Sequence, residues 1–263
     1  MSGERGKSNL ADRRQLLRGA GAMVAMNALN VARSRAALPK TSIKAVVFDG
    51  FAVFDPGSIF RLAEELFPGQ GAALSTAWRV RQFEYTWLRN SMHQYKDFSG
   101  VTQDALIFAS KQTGVELHPE QLGRLMSAYL EMKPWPDVVG TIKELRERGL
   151  RLALLSNMTT AMMRACVTSS GLESAFEFQM STDQVKAFKP APLSYNMGLE
   201  AFQMRKSQIA FVPFGGWDAA GAKTFGYPTY WVNRLDAPEE ELGVRADAIH
   251  HDLSRLPAFV ASL

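Results

Sequence analysis

The sequence predicts an α/β protein: a Rossmann-like parallel sheet core with an inserted all-helical cap domain. Short apolar runs alternate with helical patterns over most of the chain, which is typical of a parallel sheet covered by helices on both faces. The segment 58–132 breaks this alternation, because it shows helical periodicity and no strand pattern. With 263 residues, 46% of them hydrophobic and 21% charged, the chain is long enough for both parts.

Four short apolar runs are predicted to form buried strands. The first, at 43–48, is rich in β-branched residues and runs into Asp49-Gly50, which favours a strand followed by a loop. The other three runs lie at 152–155, 209–212 and 229–232. Helical patterns that lie between and after these runs predict helices at 138–148, 161–170, 192–202 and 217–225.

The interrupting segment is predicted to form four more helices, at 58–67, 74–92, 101–113 and 119–132. Pro134 and Pro136 then mark the return of the chain to the sheet. The predicted domains are therefore a core at 37–57 and 133–263 and a helical cap at 58–132.

Residues 1–36 resemble a twin-arginine-type signal peptide. Arg13 and Arg14 precede an apolar, small-residue run at 19–32, and a cleavable small-x-small pattern follows at 34–36. This run is shorter than the roughly 20 residues that a bilayer needs, so no stable membrane anchor is expected. We expect export by the Tat machinery and a periplasmic location, with a surface helix or a frayed tail as the alternative.

The basic character of the chain comes from this leader. Residues 1–36 hold seven Lys/Arg and two Asp/Glu, and the rest of the chain keeps 23 basic and 24 acidic side chains. Without a cationic stripe there is no electrostatic support for a nucleic-acid partner. The single cysteine, Cys166, has no partner for an internal disulfide and is predicted to be a small buried residue on a helix.

Polar side chains follow the predicted strands at their carboxyl ends, where open parallel sheets bind ligands. They are Asp49, Ser156 with Asn157, Lys189 and Asp218. Two acids, a hydroxyl, an amide and a lysine at one edge predict an active site. Simpler roles stay open: Asp49 could cap a helix, Ser156-Asn157 could begin one, and Lys189-Pro190 could be a surface turn.

At these positions the sequence resembles the (S)-2-haloacid dehalogenases of the haloacid dehalogenase-like superfamily. The four superfamily motifs occur in order as Val-Val-Phe-Asp at 46–49, Leu-Ser-Asn at 155–157, Lys189-Pro190, and Trp-Asp-Ala-Ala-Gly-Ala at 217–222. Segments 78–89, 95–98 and 225–234 resemble the 2-haloacid dehalogenase branch in particular. The resemblance covers nearly all of residues 43–255.

The resemblance implies a covalent mechanism. Asp49 would attack C2 of an (S)-2-haloalkanoate and form an aspartyl ester with inversion. Arg79, from the cap, would stabilise the departing halide. Lys189 would offset the negative charges and keep Asp49 ionised.

The remaining predicted site residues would hold the substrate or the water. Ser156 and Asn157 would hold the substrate carboxylate or the nucleophile, and Asp218 would help to orient the water, or Lys189, for ester hydrolysis. The predicted substrate-binding residues are completed by an apolar wall, which excludes stray water, and by a tyrosine six residues after the lysine: Phe51, Phe83, Phe98, Trp217 and Tyr195.

Two features separate this chain from the phosphatases of the superfamily. Phe51 stands where those enzymes carry a second aspartate that protonates the leaving alcohol. The last motif offers only Asp218, although Mg²⁺ is normally held by several carboxylates. Because a halide leaves without protonation, neither a metal nor another cofactor is expected.

A structural explanation of the cap residues stays open beside the catalytic one. Arg79, Phe83 and Trp87 are spaced i, i+4, i+8, so they share one face of the predicted helix. An arginine stacked on core aromatics is a common packing arrangement, and the aromatic stripe could serve cap–core packing alone.

Three positions depart from the family pattern. Val53 stands where a threonine hydroxyl is expected, and Pro213 and Gly215 stand where polar side chains are expected. The residues for ester formation are retained, whereas groups that would position the hydrolytic water are changed.

The sequence thus predicts metal-independent hydrolysis of (S)-2-haloalkanoic acids to (R)-2-hydroxy acids, with a small-molecule 2-haloacid and water as partners. The resemblance also implies a homodimer. Three alternatives stay open: a hydrolase of the superfamily that takes another carboxylate, a phosphatase, or an inactive periplasmic paralogue that binds carboxylates.

Replacing Arg13 and Arg14 together with lysine is expected to leave the precursor in the cytoplasm, because the paired arginines are the feature that marks the leader as twin-arginine type. Cell fractionation and immunoblotting measure this. The matched control, Arg5→Lys with Arg18→Lys, keeps the pair and should be exported. Equal periplasmic yield of both double variants would contradict the predicted signal.

Overall fold

A parallel sheet of four strands organises the computed structural model, which describes residues 42–263. The strands are β1 (Ala45–Phe48), β2 (Arg151–Ser156), β3 (Phe178–Ser181) and β4 (Ile209–Val212), in the order β3-β2-β1-β4. All three neighbouring pairs run parallel. The predicted fold class is confirmed, and the predicted export signal lies outside the described residues.

A second, smaller sheet continues beyond β4. It pairs β5 (Tyr230–Val232) with β6 (Ala248–His250), again in parallel. A single bridge between Phe211 and Thr229 joins it to β4. Successive strands therefore end on the same side, which gathers their carboxyl ends along one edge.

Helices cover the sheet and form the long insertion after β1. They are α1 (Gly50–Val53), α2 (Gly57–Leu66), α3 (Gly71–Met92), α4 (Phe98–Thr113), α5 (Pro119–Ser127), α6 (Val138–Glu147), α7 (Thr160–Ser169), α8 (Pro192–Phe202), α9 (Gly216–Phe225) and α10 (Leu256–Ser262). Short 3₁₀ turns lie at Ala128–Leu130, Thr182–Gln184 and Lys206–Gln208.

Both faces of the sheet are buried, which explains the continuous apolar runs in the sequence. Val46 and Phe48 of β1 belong to one hydrophobic cluster, and Ala45 and Val47 belong to the cluster on the opposite face. Side chains alternate between faces along a strand, so a strand covered on both sides needs apolar residues at every position.

The chain leaves the sheet after α1 and returns beside the same place. Phe54 and Pro134 form an antiparallel bridge, and the Trp135 N–H donates to the carbonyl of Val53 at 3.0 Å. Between these points lie helices α2 to α5. Within residues 42–263, no helix combines the length and the apolar character that crossing a bilayer requires.

Helices α3 and α4 pack along each other around a buried polar network. The Trp78 indole N–H donates to the carbonyl of Thr102 at 2.8 Å, and Gln82 Nε2 donates to the Thr102 hydroxyl at 2.6 Å. These bonds satisfy polar groups that would otherwise be buried without partners. They also fix the rotation of α3, and with it the direction in which Arg79 leaves the helix.

Several elements were not predicted from the sequence: α1, β3, β6 and α10. Strand β3 reads Phe-Gln-Met-Ser and pairs on one side only, so it lacks the continuous apolar run of a central strand. The helix predicted at 119–132 ends at Ser127 and tightens into the 3₁₀ turn. The chain must then become extended at Lys133, because the residue before a proline is driven out of helical conformation.

A substitution of Gly71, at the start of α3, tests how closely α2 packs against α3. A Cβ at this position would lie 2.3 Å from the Glu64 Cα and 2.5 Å from the Ala63 carbonyl carbon, both backbone atoms. We expect Gly71→Ala to lower the free energy of unfolding by about 1–3 kcal/mol or more, since overpacking cannot be relieved by a side-chain rotation. Urea denaturation measures this.

Gly123 provides the matched control. It lies inside α5 and is exposed, and a Cβ added there would have no neighbouring atom within 4 Å. Gly123→Ala is expected to raise the free energy of unfolding by roughly 0.5–1 kcal/mol, because alanine favours a helix over glycine. Equal effects of the two substitutions would contradict the close approach at Gly71.

Candidate active site

The predicted polar residues meet at the carboxyl edge of the sheet. Asp49 follows β1 directly, and Ser156 is the last residue of β2. Lys189 lies in the loop between β3 and α8, and Asp218 lies in the first turn of α9, after β4. The edge therefore brings together side chains that are up to 169 positions apart in the chain.

The Lys189 ammonium bridges the two carboxylates. Its Nζ donates to Asp49 Oδ1 at 2.7 Å and to Asp218 Oδ2 at 2.6 Å. Lys189 and Asp218 are 1% exposed and Asp49 is 6% exposed. Burial alone would lower the pKa of Lys189, but the negative charges of Asp218 and Asp49 outweigh it and raise the pKa above its ordinary value. The lysine is therefore a permanent cation, and the three groups carry a net charge of −1.

Asp49 is both a helix cap and a member of this cluster. Its Oδ2 accepts the Phe51 backbone N–H at 3.0 Å and so caps α1, as the simpler interpretation of the sequence expected. Its Oδ1 accepts from Lys189 and, at the long distance of 3.4 Å, from the Ser156 hydroxyl. The cap bond and the ion pair together fix the plane of the carboxylate.

Asp218 is held from below by Tyr195. The Tyr195 hydroxyl donates to Asp218 Oδ1 at 2.6 Å. Burial raises the pKa of Asp218 to about 6, and the negative charge of Asp49 adds to this, whereas Lys189 and the tyrosine act in the opposite direction. Burial and the neighbouring carboxylates raise the pKa of Tyr195 well above its ordinary value, so its hydroxyl stays a donor.

The two polar atoms of the Asn157 side chain differ in their hydrogen bonding within residues 42–263. Its Oδ1 accepts the Lys189 backbone N–H at 3.0 Å and the Thr182 hydroxyl at 3.3 Å. Its Nδ2 is buried and has no partner within residues 42–263. A buried donor without an acceptor costs free energy unless a ligand supplies the acceptor.

A small, mostly apolar cavity of about 20 Å³ lies above the cluster. Asp49, Asn157, Lys189 and Asp218 contribute its polar surface. Its other walls are Phe51, Arg79, Phe83, Phe214, Gly215 and Trp217. A surface groove of about 650 Å³ shares five of these wall residues, so it leads from solvent to the cavity.

Arg79 brings a positive charge to this cavity from helix α3. Its guanidinium lies 5.9 Å from the centre of the Phe214 ring. Across the described part of the chain it forms neither a hydrogen bond nor an ion pair with another side chain. Burial lowers its pKa from the ordinary value, yet a guanidinium stays protonated in proteins. An unpaired cation beside an apolar wall is suited to bind an anion.

The aromatic wall connects α3 to α9. Phe83 and Trp87 lie 5.2 and 5.6 Å, between ring centres, from Trp217. The packing and the ligand interpretations of this face are thus compatible, because Phe83 and Trp217 line the cavity while they pack on each other. Phe214 lines the cavity as well and was not predicted; its position directly after Pro213 at the end of β4 was the available signal.

Two predicted substrate-binding residues lie outside the cavity lining. Phe98 packs behind Phe51, 6.3 Å from it between ring centres, and against Phe188. Tyr195 lies beneath Asp218 and is fully buried. Phe51 and Asp218, which contact these two residues, line the cavity themselves.

Of two simpler roles proposed from the sequence, one is wrong and the other holds in part. Thr159, and not Ser156 or Asn157, is the N-cap of α7, and its hydroxyl accepts the Met162 N–H at 3.2 Å. Lys189 and Pro190 do form a turn, with Pro190 exposed, but the lysine is buried, so it is not a surface residue.

Gly215 leaves room for the Trp217 indole. A Cβ at Gly215 would lie 2.7 Å from Trp217 Nε1, so a larger side chain there would displace the ring. The indole occupies the space that an amide side chain would otherwise take. Within the described residues, no three His, Cys, Asp or Glu side chains lie close enough together to hold a metal ion.

The arrangement brings an oriented Asp49 carboxylate, an amide donor and a guanidinium around one small space, and the last two have no partner among residues 42–263. Such a site can bind a small organic anion, attack it with a carboxylate oxygen and stabilise a departing anion. Asp218, with a pKa of about 6, can accept a proton from water at neutral pH.

The sequence and the structure both match known hydrolases. A model of the family described as haloacid dehalogenase-like hydrolase matches residues 43–226. The chain is 40% identical over 206 residues to haloacetate dehalogenase H-2 of Moraxella sp. (strain B). The matched residues make up 78% of this chain and 92% of that protein. It is 39% identical over 206 residues to the (S)-2-haloacid dehalogenase of Pseudomonas sp. (strain YL), covering 78% and 89% of the two chains.

A solved structure supports the same assignment. The L-2-haloacid dehalogenase of Xanthobacter autotrophicus with chloropropionic acid covalently bound superimposes with a TM-score of 0.77 at 33% identity, over 84% of this chain and 99% of that chain. Because identity extends over most of each chain and the cores superimpose, the protein belongs to the haloacid dehalogenase-like hydrolases, in the branch of the (S)-2-haloacid dehalogenases.

Proposed function

We propose that the protein hydrolyses (S)-2-haloalkanoic acids to (R)-2-hydroxy acids through an ester on Asp49, without a metal ion. One observation carries the proposal: the guanidinium of Arg79, which has no ion-pair partner within residues 42–263, lines the same cavity as the Asp49 carboxylate that accepts a hydrogen bond from Lys189. An attacking anion and a cation that line one small space suit displacement of an anionic leaving group.

Ester formation is a single displacement at C2. An Asp49 oxygen forms the new C–O bond while the carbon–halogen bond breaks, and the electron pair leaves with the halide towards Arg79. Attack opposite the leaving group inverts C2. The free Nδ2 donor of Asn157 would bind the substrate carboxylate, which otherwise faces two buried carboxylates. The apolar wall excludes water and strengthens these charge interactions.

Ester hydrolysis restores Asp49. Water attacks the carbonyl carbon of the ester, and the bond breaks between that carbon and the oxygen attached to C2, which Asp49 had supplied. Asp218 takes one proton from the water and passes it to the departing alkoxide, and the regenerated Asp49 carboxyl group gives up the other proton to solvent. Lys189 stabilises the oxyanion because its Nζ already contacts Asp49. Since C2 is not attacked again, the hydroxy acid keeps the inverted configuration.

The proposed independence from metals follows from the residues at the site. Lys189 Nζ lies between Asp49 and Asp218, in the place that a cation bridging these carboxylates would take. Phe51, with its ring in the cavity wall, stands where a phosphatase of the superfamily would need a proton donor. We also propose that this reaction takes place in the periplasm, on the strength of the leader at residues 1–36.

Incubation with (S)-2-chloropropionate tests the function. We expect the wild type to release chloride and form (R)-lactate, with no loss of rate in EDTA, and Asp49→Ala to release none, because the ester cannot form. Ion chromatography measures chloride and chiral chromatography measures lactate. Asp236→Asn is the matched control, since Asp236 is exposed and its φ of 51° suits asparagine.

The outcome also separates the alternatives. Equal chloride release by wild type and Asp49→Ala would refute the dehalogenase. Mg²⁺-dependent hydrolysis of p-nitrophenyl phosphate would identify a phosphatase, and tight carboxylate binding without turnover would identify a binding protein. In H₂¹⁸O, a single turnover should place label in Asp49 and none in the first product molecule, which mass spectrometry of the peptide detects.

The acid limb of the pH profile should report Asp218. We expect kcat to fall at acid pH, because protonated Asp218 cannot accept the proton of water. The fall should lie below the pKa of about 6 of the free protein, since the ester no longer carries the Asp49 charge that helps to raise it. Tyr195→Phe removes a hydrogen bond that favours the ionised carboxylate, so the limb should move to higher pH. Steady-state rates between pH 4.5 and 9 measure this.

Tyr227→Phe is the control for the tyrosine substitution. Its hydroxyl is also buried, but it donates to the Tyr195 backbone carbonyl at 2.7 Å and not to Asp218. The limb should stay in place for this variant. A limb that moves equally in both variants, or in neither, would mean that Asp218 does not control hydrolysis.

A further inference from the structure

One side chain joins helix α3 to the loop that carries Lys189. Asn90, in the last turn of α3, donates from Nδ2 to the carbonyl of Phe188 at 2.7 Å. In return the Phe188 N–H donates to Asn90 Oδ1 at 3.0 Å. The asparagine amide thus binds both polar backbone groups of the residue before Lys189, in the way that a neighbouring strand would.

The next backbone donor is also bound by an asparagine. The Lys189 N–H donates to Asn157 Oδ1 at 3.0 Å. Residues 188 and 189 belong to no strand or helix, so side-chain amides replace the ladder that would otherwise fix them. Asn157 holds this backbone from the end of β2, and Asn90 holds it from α3.

We propose that Asn90 is a positioning residue for the reaction: through the backbone of Phe188 it fixes where the Lys189 ammonium stands between Asp49 and Asp218. Lysine is long and flexible, so the position of Nζ depends on where its backbone is anchored. The Phe188 ring supports the same anchor, because it stacks on Tyr95 with 4.9 Å between ring centres.

This contact also couples two parts of the site. Asn90 lies eleven residues after Arg79 on the same continuous helix, about 16 Å along its axis at 1.5 Å per residue. A displacement of α3 would therefore move the guanidinium and the lysine loop together. The role rests on the function proposed above, which gives Arg79 the halide and Lys189 the carboxylates.

Steady-state kinetics with (S)-2-chloropropionate test the proposal. We expect Asn90→Ala to lower kcat about ten- to a hundredfold, since sub-ångström displacement of a catalytic group has effects of this size, with KM changed by less than about twofold. Isosteric Asn90→Asp keeps the volume but sets a carboxylate oxygen against the Phe188 carbonyl. It should lower kcat at least as much.

The matched control removes another asparagine hydrogen bond. Asn196 on α8 donates to Glu200 at 2.6 Å at the surface, and Asn196→Ala should keep the kcat of the wild type. A kcat within about twofold of wild type for both Asn90 variants would overturn the proposal.

Thermal melting gives a readout that does not need activity. The charged and titratable groups around Asp218 are Lys189, Asp49 and Tyr195. Because the native pKa of Asp218 is raised, its contribution to stability is lost as the pH rises through that pKa. A displaced Lys189 compensates the ionised carboxylate less, so the melting temperature of Asn90→Ala should fall further below wild type at pH 8 than at pH 5.

The two readouts separate the failure of each hypothesis. If the wild type releases no chloride, the proposed function fails, but the pH dependence of the melting difference still tests the link from Asn90 to Lys189. A melting difference that is the same at both pH values would show that Asn90 only stabilises the fold. That result would overturn the positioning role even if kcat decreased.

Discussion

The buried ammonium of Lys189 is what allows Asp49 and Asp218 to lie in the interior of the protein. Two carboxylates beside each other in a low dielectric repel strongly, and each also loses its hydration. With Nζ at 2.7 and 2.6 Å from them, the net charge is −1 in place of −2. In the proposed reaction ester formation removes the charge of Asp49 and leaves a neutral pair. The negative charge of the cluster is therefore only partly neutralised before attack and is fully neutralised in the ester.

Everything else at the site serves to hold this cluster or to close the space above it. The carboxyl ends of β1 and β2 and the start of α9 supply Asp49, Ser156 and Asp218 from a rigid sheet. Helix α3 supplies the opposite wall, with Arg79 among aromatic rings. The sheet edge holds the buried charges within hydrogen-bonding distance of one another. Helix α3 brings a cation that has no partner among residues 42–263.

In the proposed reaction, the positions that depart from the family pattern concern ester hydrolysis and not ester formation. At Gly215 the missing side chain is replaced by the Trp217 indole, which stands where a Cβ would collide with it. Pro213 has no N–H, and its carbonyl is already occupied by the Val232 N–H at 3.1 Å. The cavity is consequently more apolar than the family pattern implies. Asp218 and Lys189 are left as the polar groups that can act on water there.

The sequence by itself determined four of the strands and most of the helices, because short apolar runs that alternate with helical patterns favour strands covered on both faces. It also placed Asp49, Ser156 and Asp218 at the carboxyl edge, since these residues follow such runs. Lys189 follows β3, which has no such run, so only its motif placed it there. The short edge strand β3 was not predicted, because a strand with a single neighbour does not need a continuous apolar run. Only the tertiary structure decided that Tyr195 and Phe98 lie behind the cavity, and that Asn90 reaches the lysine loop. Those contacts join residues such as Asn90 and Phe188, which are 98 positions apart, and no local pattern encodes which distant backbone a side-chain amide will meet.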